Sequence, residues 1–140
     1  MSDNTPRVYL ARHGETEWSK NGRYTGCTDL ELTDYGVKQV QATSTSLVGA
    51  GKLIDPSKLT RVFVSPRKRA QTTFNLLVPN DIEDRLASEK KVTTTGDLAE
   101  WDYGEYEGLL TKEIRERRRV HGLDTERPWD IWRDGCEGGE

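Results

Sequence analysis

His13 stands between Arg12 and Gly14, so that a cationic side chain and a residue without a Cβ flank an imidazole. A neutral imidazole nitrogen is a competent nucleophile toward phosphorus when preorganised donors neutralise the phosphoryl oxygens. Arg12 is the first candidate donor. Arg69, in the run Ser65-Pro66-Arg67-Lys68-Arg69, is the second. The early turn of a helix favours anions through its free N–H groups and dipole, and a guanidinium fork matches phosphate oxygens two at a time. The competing reading of that run is a solubilising helix face. An alkoxide leaving group also needs an acid, and Glu100 in Leu98-Ala99-Glu100-Trp101 is the candidate. Flanking Leu98 and Trp101 would desolvate it in part, raising its pKa and keeping a proton available near neutral pH. The sequence offers no acidic cluster with metal-ligand spacing, and two arginines with a histidine permit this chemistry without a metal or other cofactor.

These residues need elements to hold them. Residues 7–11 are β-favouring and break at Arg12-His13-Gly14, which predicts a buried strand feeding a loop. Residues 15–32 hold no period and contain Gly22, Gly26 and Asp29, which predicts an extended loop with short turns. Thr33 offers an N-cap to a helix in which Val37, Val40, Leu47 and Val48 share a face, closed by Gly49 and Gly51. Residues 61–64 predict a second strand. Ser65-Pro66 then predicts a helix start, with Ala70, Phe74 and Leu77 on the buried side until Pro79. Residues 91–95 predict a third strand, and Thr111 caps a helix through Val120, with Gly122 past its end. Strands alternating with helices predict an α/β fold with a mostly parallel sheet, whose ligands bind where strands end. Arg12-His13 and the Ser65–Arg69 run both lie there and are expected to converge.

With 140 residues one domain is expected, and a hydrophobic fraction of 33% makes its core thin. The formal charge of −3 argues against general affinity for nucleic acid or acidic membranes. The arginines at 115 and 117–119 are interleaved with Glu113 and Glu116, as on a solvated helix face. No segment reaches the roughly 18 apolar residues needed to span a bilayer. Cys27 and Cys136 form no CxxC pair, so neither a disulfide framework nor a zinc site is expected, and the expected setting is a reducing cytoplasm. Trp129 and Trp132 are expected to pack into the core rather than to serve as partner contacts.

Arg12-His13-Gly14-Glu15-Thr16 with Trp18, Tyr24-Thr25-Gly26, Leu32-Thr33 with Gly36, Ser65-Pro66-Arg67 with Arg69-Ala70 and Thr73, and Glu100 with Tyr103-Gly104 and Glu107-Gly108 occur in this order. Together they resemble the phosphoglycerate mutase-like histidine phosphatase superfamily nearly end to end. The resemblance implies a three-layer α/β/α sandwich. It also implies His13 as the phosphorylated nucleophile, Arg12 and Arg69 as phosphate clamps, Glu100 as the general acid, and Tyr24, Thr25 and Tyr103 as further substrate contacts. Residues 12–20, 100–104 and 122–137 resemble the sugar bisphosphatase members most, with sedoheptulose 1,7-bisphosphate the implied substrate. A broader or fructose-bisphosphate-directed phosphatase is the alternative.

Two departures from the family pattern carry weight. Ser19 stands where the mutases usually have asparagine, and Trp101-Asp102 where they have an Arg-His pair, so the cationic contacts to a phosphoglycerate carboxylate are missing. Asp102 and Glu105 would repel that carboxylate, which favours a phosphatase over a mutase. Family members also supply a second histidine, usually followed by glycine, from their C-terminal half. His121-Gly122 follows a basic helix, outside the strand-loop context, and is not assigned that role. Residues 1–140 are therefore expected to form the N-terminal part of one histidine phosphatase domain. If they stand alone, the alternative is a phosphate-binding or interaction module without turnover.

Overall fold

A computed structural model of the chain describes residues 5–139. The predicted α/β architecture with parallel strands is present. Strand β1 (Val62–Val64) pairs in parallel with β2 (Val92–Thr94), Val62 opposite Val92 and Val64 opposite Thr94. The helices are α1 (Glu17–Asn21), α2 (Asp34–Leu47), α3 (Lys68–Leu77), α4 (Asn80–Ser88), α5 (Thr111–Val120) and α6 (Ile131–Asp134). Helix α3 packs on both α2 and β1. No helix among the described residues is long and apolar enough to cross a membrane.

The α2 start follows local chemistry. The Thr33 hydroxyl accepts from Gly36 N at 3.0 Å, satisfying one of the free donors of the first turn; of the expected face Val40 and Val48 are buried, Val37 is half-buried and Leu47 is exposed. Within residues 15–32 the structure adds α1, closed at its start by a reciprocal pair in which Thr16 Oγ1 accepts from Ser19 N and Ser19 Oγ accepts from Thr16 N.

Three elements differ from expectation. Residues 7–11 form no strand among the described residues, and Val8 (81%) and Leu10 (94%) are exposed rather than buried. β-favouring side chains express a preference, whereas a strand needs a ladder partner, and β1 pairs with β2 instead. Helix α3 begins two residues later than Ser65-Pro66 predicts, with Arg67 at the N-cap. Its first free N–H, that of Lys68, is taken by Asp29 Oδ1 at 2.7 Å, so a carboxylate from a distant loop replaces the local cap. Pro79 ends the α3 pattern as expected, yet it is also the N-cap of the unforeseen α4, whose Leu86 is fully buried.

A second cluster lies beyond the α2, α3 and β1 layer. Tyr106, Ile114 and Trp129 are buried together, with Tyr24, Leu109, Ile131 and Cys136 packed against them. The Tyr106 and Trp129 rings meet edge to face at 5.4 Å, a geometry worth about 1 kcal/mol beyond area burial. The polar ends of these rings are satisfied as well. Tyr106 OH accepts from Arg118, which forks onto Asp124, and Trp129 Nε1 donates to Gly135 O at 3.0 Å. Trp129 thus packs as expected. Trp132 does not: it is 82% exposed and meets Trp101 edge to face at 5.5 Å.

Candidate active site

The loop carrying His13 is pressed onto two helices. A Cβ on Gly14 would lie 2.6 Å from Gly36 O and 2.9 Å from Val40 Cγ2, and a Cβ on Gly36 would lie 2.2 Å from Glu15 O. Only paired glycines let the loop and the first turn of α2 approach this closely. Gly14 N donates to Thr73 Oγ1 at 3.1 Å, and that hydroxyl donates in turn to Arg69 O, which ties the loop to α3. Gln39 Oε1 accepts from Glu15 N, and Glu15 O accepts from Thr33 N.

Within this frame His13 Nδ1 lies 2.7 Å from Gly14 O. A carbonyl oxygen only accepts, so Nδ1 carries the proton and Nε2 presents its lone pair. Burial lowers the His13 pKa below its ordinary 6.5, and the Arg69 and Arg12 charges lower it further, against the Gly14 hydrogen bond and Glu100, which raise it. Because the charged form is disfavoured, the ring is neutral at pH 7. An NMR titration of its ring protons is expected to give a midpoint below 6.5, and a midpoint above that value would contradict this environment. A cavity of about 260 Å³ opens here, lined by Arg12, His13, Gly14, Glu15, Ser19 and Gln39.

Arg69 approaches from α3 and is only 3% exposed. Its Nη1 donates to Thr28 O at 3.0 Å, and its Nη2 to Thr25 O and Gly26 O at 3.2 and 3.1 Å. The expected phosphate donor therefore also anchors the loop at residues 25–28, with Nε–H and one Nη1–H left over. Desolvation and neighbouring Arg67 pull its pKa down, while Glu100, Asp29 and Glu107 oppose them. A guanidinium stays charged under such influences. The N–H side of the same loop is held by Glu107, whose Oε1 accepts from Gly26 N and Thr28 N at 3.0 and 2.9 Å.

Glu100 is exposed, as are Leu98 and Trp101, so the expected apolar desolvation of this carboxyl is not found. Its Oε1 accepts from Trp101 N at 3.0 Å and from Tyr103 OH at 3.4 Å. Burial and this neighbouring carboxylate push the Tyr103 phenol up to about 12. Tyr24 packs its ring against Tyr103 at 5.0 Å and pairs its hydroxyl with Thr111 Oγ1, while Thr25 Oγ1 donates to Arg23 O. Both expected contacts are thus engaged within the protein.

Arg12, Arg69 and Glu100 are near enough for their charges to act on His13, and of these three Arg12 lines the cavity beside it. His121 lies elsewhere, at the end of α5 with Nδ1 on Arg117 O, beside a separate cavity of about 100 Å³. The residues that sequence reasoning did not single out are Gln39, Thr73 and Glu107. Thr73 and Glu107 appear in the motifs quoted above, but nothing local marks their partners.

Known proteins resemble this arrangement. The chain is 49% identical to the sedoheptulose 1,7-bisphosphatase of Saccharomyces cerevisiae over 140 residues, covering all of this chain and 51% of that protein. It is 43% identical to an acid phosphatase of Mycobacterium tuberculosis, again over its whole length and 58% of the relative. It thus spans about half the length of these curated relatives. Among solved structures, an open reading frame of Mycobacterium tuberculosis superposes with a TM-score of 0.62 at 38% identity, over 91% of this chain and 54% of that one. A phosphoglycerate mutase from Thermus thermophilus gives a TM-score of 0.56 at 25% identity, over 92% and 60%. The sequence profile of the histidine phosphatase superfamily (branch 1) matches residues 8–140, and the chain belongs to that family.

Proposed function

We propose that the protein is a metal-independent phosphatase that removes a phosphoryl group from a sugar bisphosphate, sedoheptulose 1,7-bisphosphate foremost, through a phosphohistidine at His13. The observation that carries this reading is the Nδ1 contact to Gly14 O, which leaves the lone pair of a neutral ring on Nε2 in a residue that lines the cavity. The similarity to the yeast sedoheptulose 1,7-bisphosphatase supports the choice of substrate.

In this mechanism Arg12 and the free donors of Arg69 neutralise the phosphoryl oxygens. His13 Nε2 forms a bond to phosphorus in line with the breaking P–O bond, and Glu100 gives its proton to the departing sugar oxygen. Water then attacks the phosphohistidine, its proton passing to the Glu100 carboxylate, and inorganic phosphate leaves with Nε2 restored. Exposure of Glu100 suits a group that must both lose and regain a proton in each cycle.

Steady-state phosphate release by the full-length protein tests both parts. Wild type is expected to prefer sedoheptulose 1,7-bisphosphate over fructose 1,6-bisphosphate in kcat/KM, and the reverse order would reassign the substrate. Glu100→Gln should slow the sugar phosphate by about 10²–10³-fold, because an alkoxide leaves poorly without a proton. An aryl phosphate, whose leaving group needs little assistance, should be affected much less. Equal losses on the two substrates would contradict the acid role.

A further inference from the structure

Residues 25–28 are held from two sides by opposite charges. Their carbonyls, those of Thr25, Gly26 and Thr28, converge on the Arg69 guanidinium. The N–H groups of Gly26 and Thr28 converge on the Glu107 carboxylate, Gly26 N lying 2.9 Å from Oε2 as well as 3.0 Å from Oε1. A carboxylate is the side chain suited to this arrangement, since it accepts at both oxygens and donates nothing.

The same loop touches the segment carrying the proposed acid. A Cβ on Gly26 would lie 2.0 Å from Trp101 O, so the loop and the residue after Glu100 are in backbone contact. Glu107 is itself fixed, because Gly108 N donates to Tyr24 O at 2.8 Å and Tyr24 N donates to Leu109 O at 3.1 Å. Gly108 has a φ of +76° and sits against the Trp18 indole, 2.8 Å from where a Cβ would stand, which fixes that turn further. A shift of the 25–28 loop would therefore move the Arg69 donors and the Glu100 segment together.

We propose that Glu107 is a positioning residue for phosphoryl transfer at His13, holding the 25–28 loop so that Arg69 and Glu100 stand in register with the attacking nitrogen. This rests on the phosphohistidine reading above. Glu107 acts through the loop it holds and through its charge on Arg69 rather than by bonding to His13.

Glu107→Gln in the full-length protein tests it. Glutamine keeps one accepting oxygen and turns an NH₂ group toward the N–H of Gly26, so the loop must shift. The probes are p-nitrophenyl phosphate, read as a pre-steady-state burst of nitrophenolate, and orthovanadate, read as a dissociation constant. The expected result is a burst of wild-type amplitude whose rate constant falls about tenfold or more, with orthovanadate binding weakened about tenfold, as befits partial loss of oriented donors. A purely structural role would reduce burst amplitude with the folded fraction and leave rate constant and affinity unchanged, and that result would overturn the proposal. Glu107→Asp, which keeps the charge but shortens the reach, is read in the same way if the glutamine variant does not fold. Failure of both to fold would make Glu107 a folding residue and also overturn the proposal. The wild-type arm separates the two levels: no burst and no orthovanadate binding there would reject the phosphohistidine reading, whereas a normal wild type beside an unchanged variant rejects only the role of Glu107.

Discussion

His13→Ala is expected to eliminate turnover, with a loss on the order of 10⁵–10⁶-fold in kcat, as when other covalent nucleophiles are removed. The other groups assigned to the reaction do not replace it: Arg12 and Arg69 are cations without a lone pair to offer, and Glu100 is assigned to the leaving oxygen. The fold should survive, because the loop remains anchored by Gly14 N on Thr73 and by the Gly14 and Gly36 contact, neither of which uses the imidazole. Unfolding in urea should place the variant within about 1 kcal/mol of wild type. Phosphate release from a sugar bisphosphate by the folded variant at an undiminished rate would reject His13 as the nucleophile.

Arg69→Ala is expected to produce the largest combined loss of stability and activity. The side chain is almost fully buried and supplies donors to three carbonyls. A buried acceptor left unpaired costs about 1–3 kcal/mol; the Gly26 bond is buried and those to Thr25 and Thr28 are part-buried, so the variant should lose roughly 2 kcal/mol or more. Set against a total of roughly 5–15 kcal/mol for a typical domain, that is a large fraction. Arg69→Lys should recover only part of it, since a single ammonium on a flexible stem cannot span carbonyls reached by separate guanidinium nitrogens. Urea denaturation of both variants, paired with phosphate binding, checks this. An alanine variant within about 0.5 kcal/mol of wild type would mean that the guanidinium does not hold the loop.

These two residues differ in how far they could be read from sequence. His13 with Arg12 and Gly14 is a local signature, and the chemistry follows from neighbours in the chain. Arg69 was legible as an anion donor from its place near a helix start, but its hold on residues 25–28 was not, because its partners lie more than 40 positions away. Glu107 is the clearest case. One more carboxylate in a chain with 24 acidic residues carries no mark of its role until folding brings Gly26 and Thr28 to it.

The same division runs through the fold. The Thr33 cap and the buried Val40 of α2 are contained in one stretch of sequence and form as its pattern dictates, while Leu47, expected on the same face, is exposed and Val48 lies past the helix end. Where α3 begins depends on Asp29, a residue from another loop, and the local Ser65-Pro66 signal yields to it. Residues 7–11 show the limit of pattern reading for strands: alternation and β-branching describe a surface that fits a sheet, while the partner that completes it is a non-local matter. The Glu100 environment failed for a related reason. Neighbouring Leu98 and Trp101 are apolar in sequence, yet both project far enough into solvent to leave the carboxyl exposed.

The most direct test of a phosphohistidine at His13 is to quench the full-length protein after mixing it with a sugar bisphosphate carrying labelled phosphate and to map the label by mass spectrometry. An acid-labile, base-stable phosphoryl group is expected on the peptide containing His13 and absent from His13→Ala. A label on any other residue, or steady turnover with no protein-bound phosphate at any quench time, would contradict it.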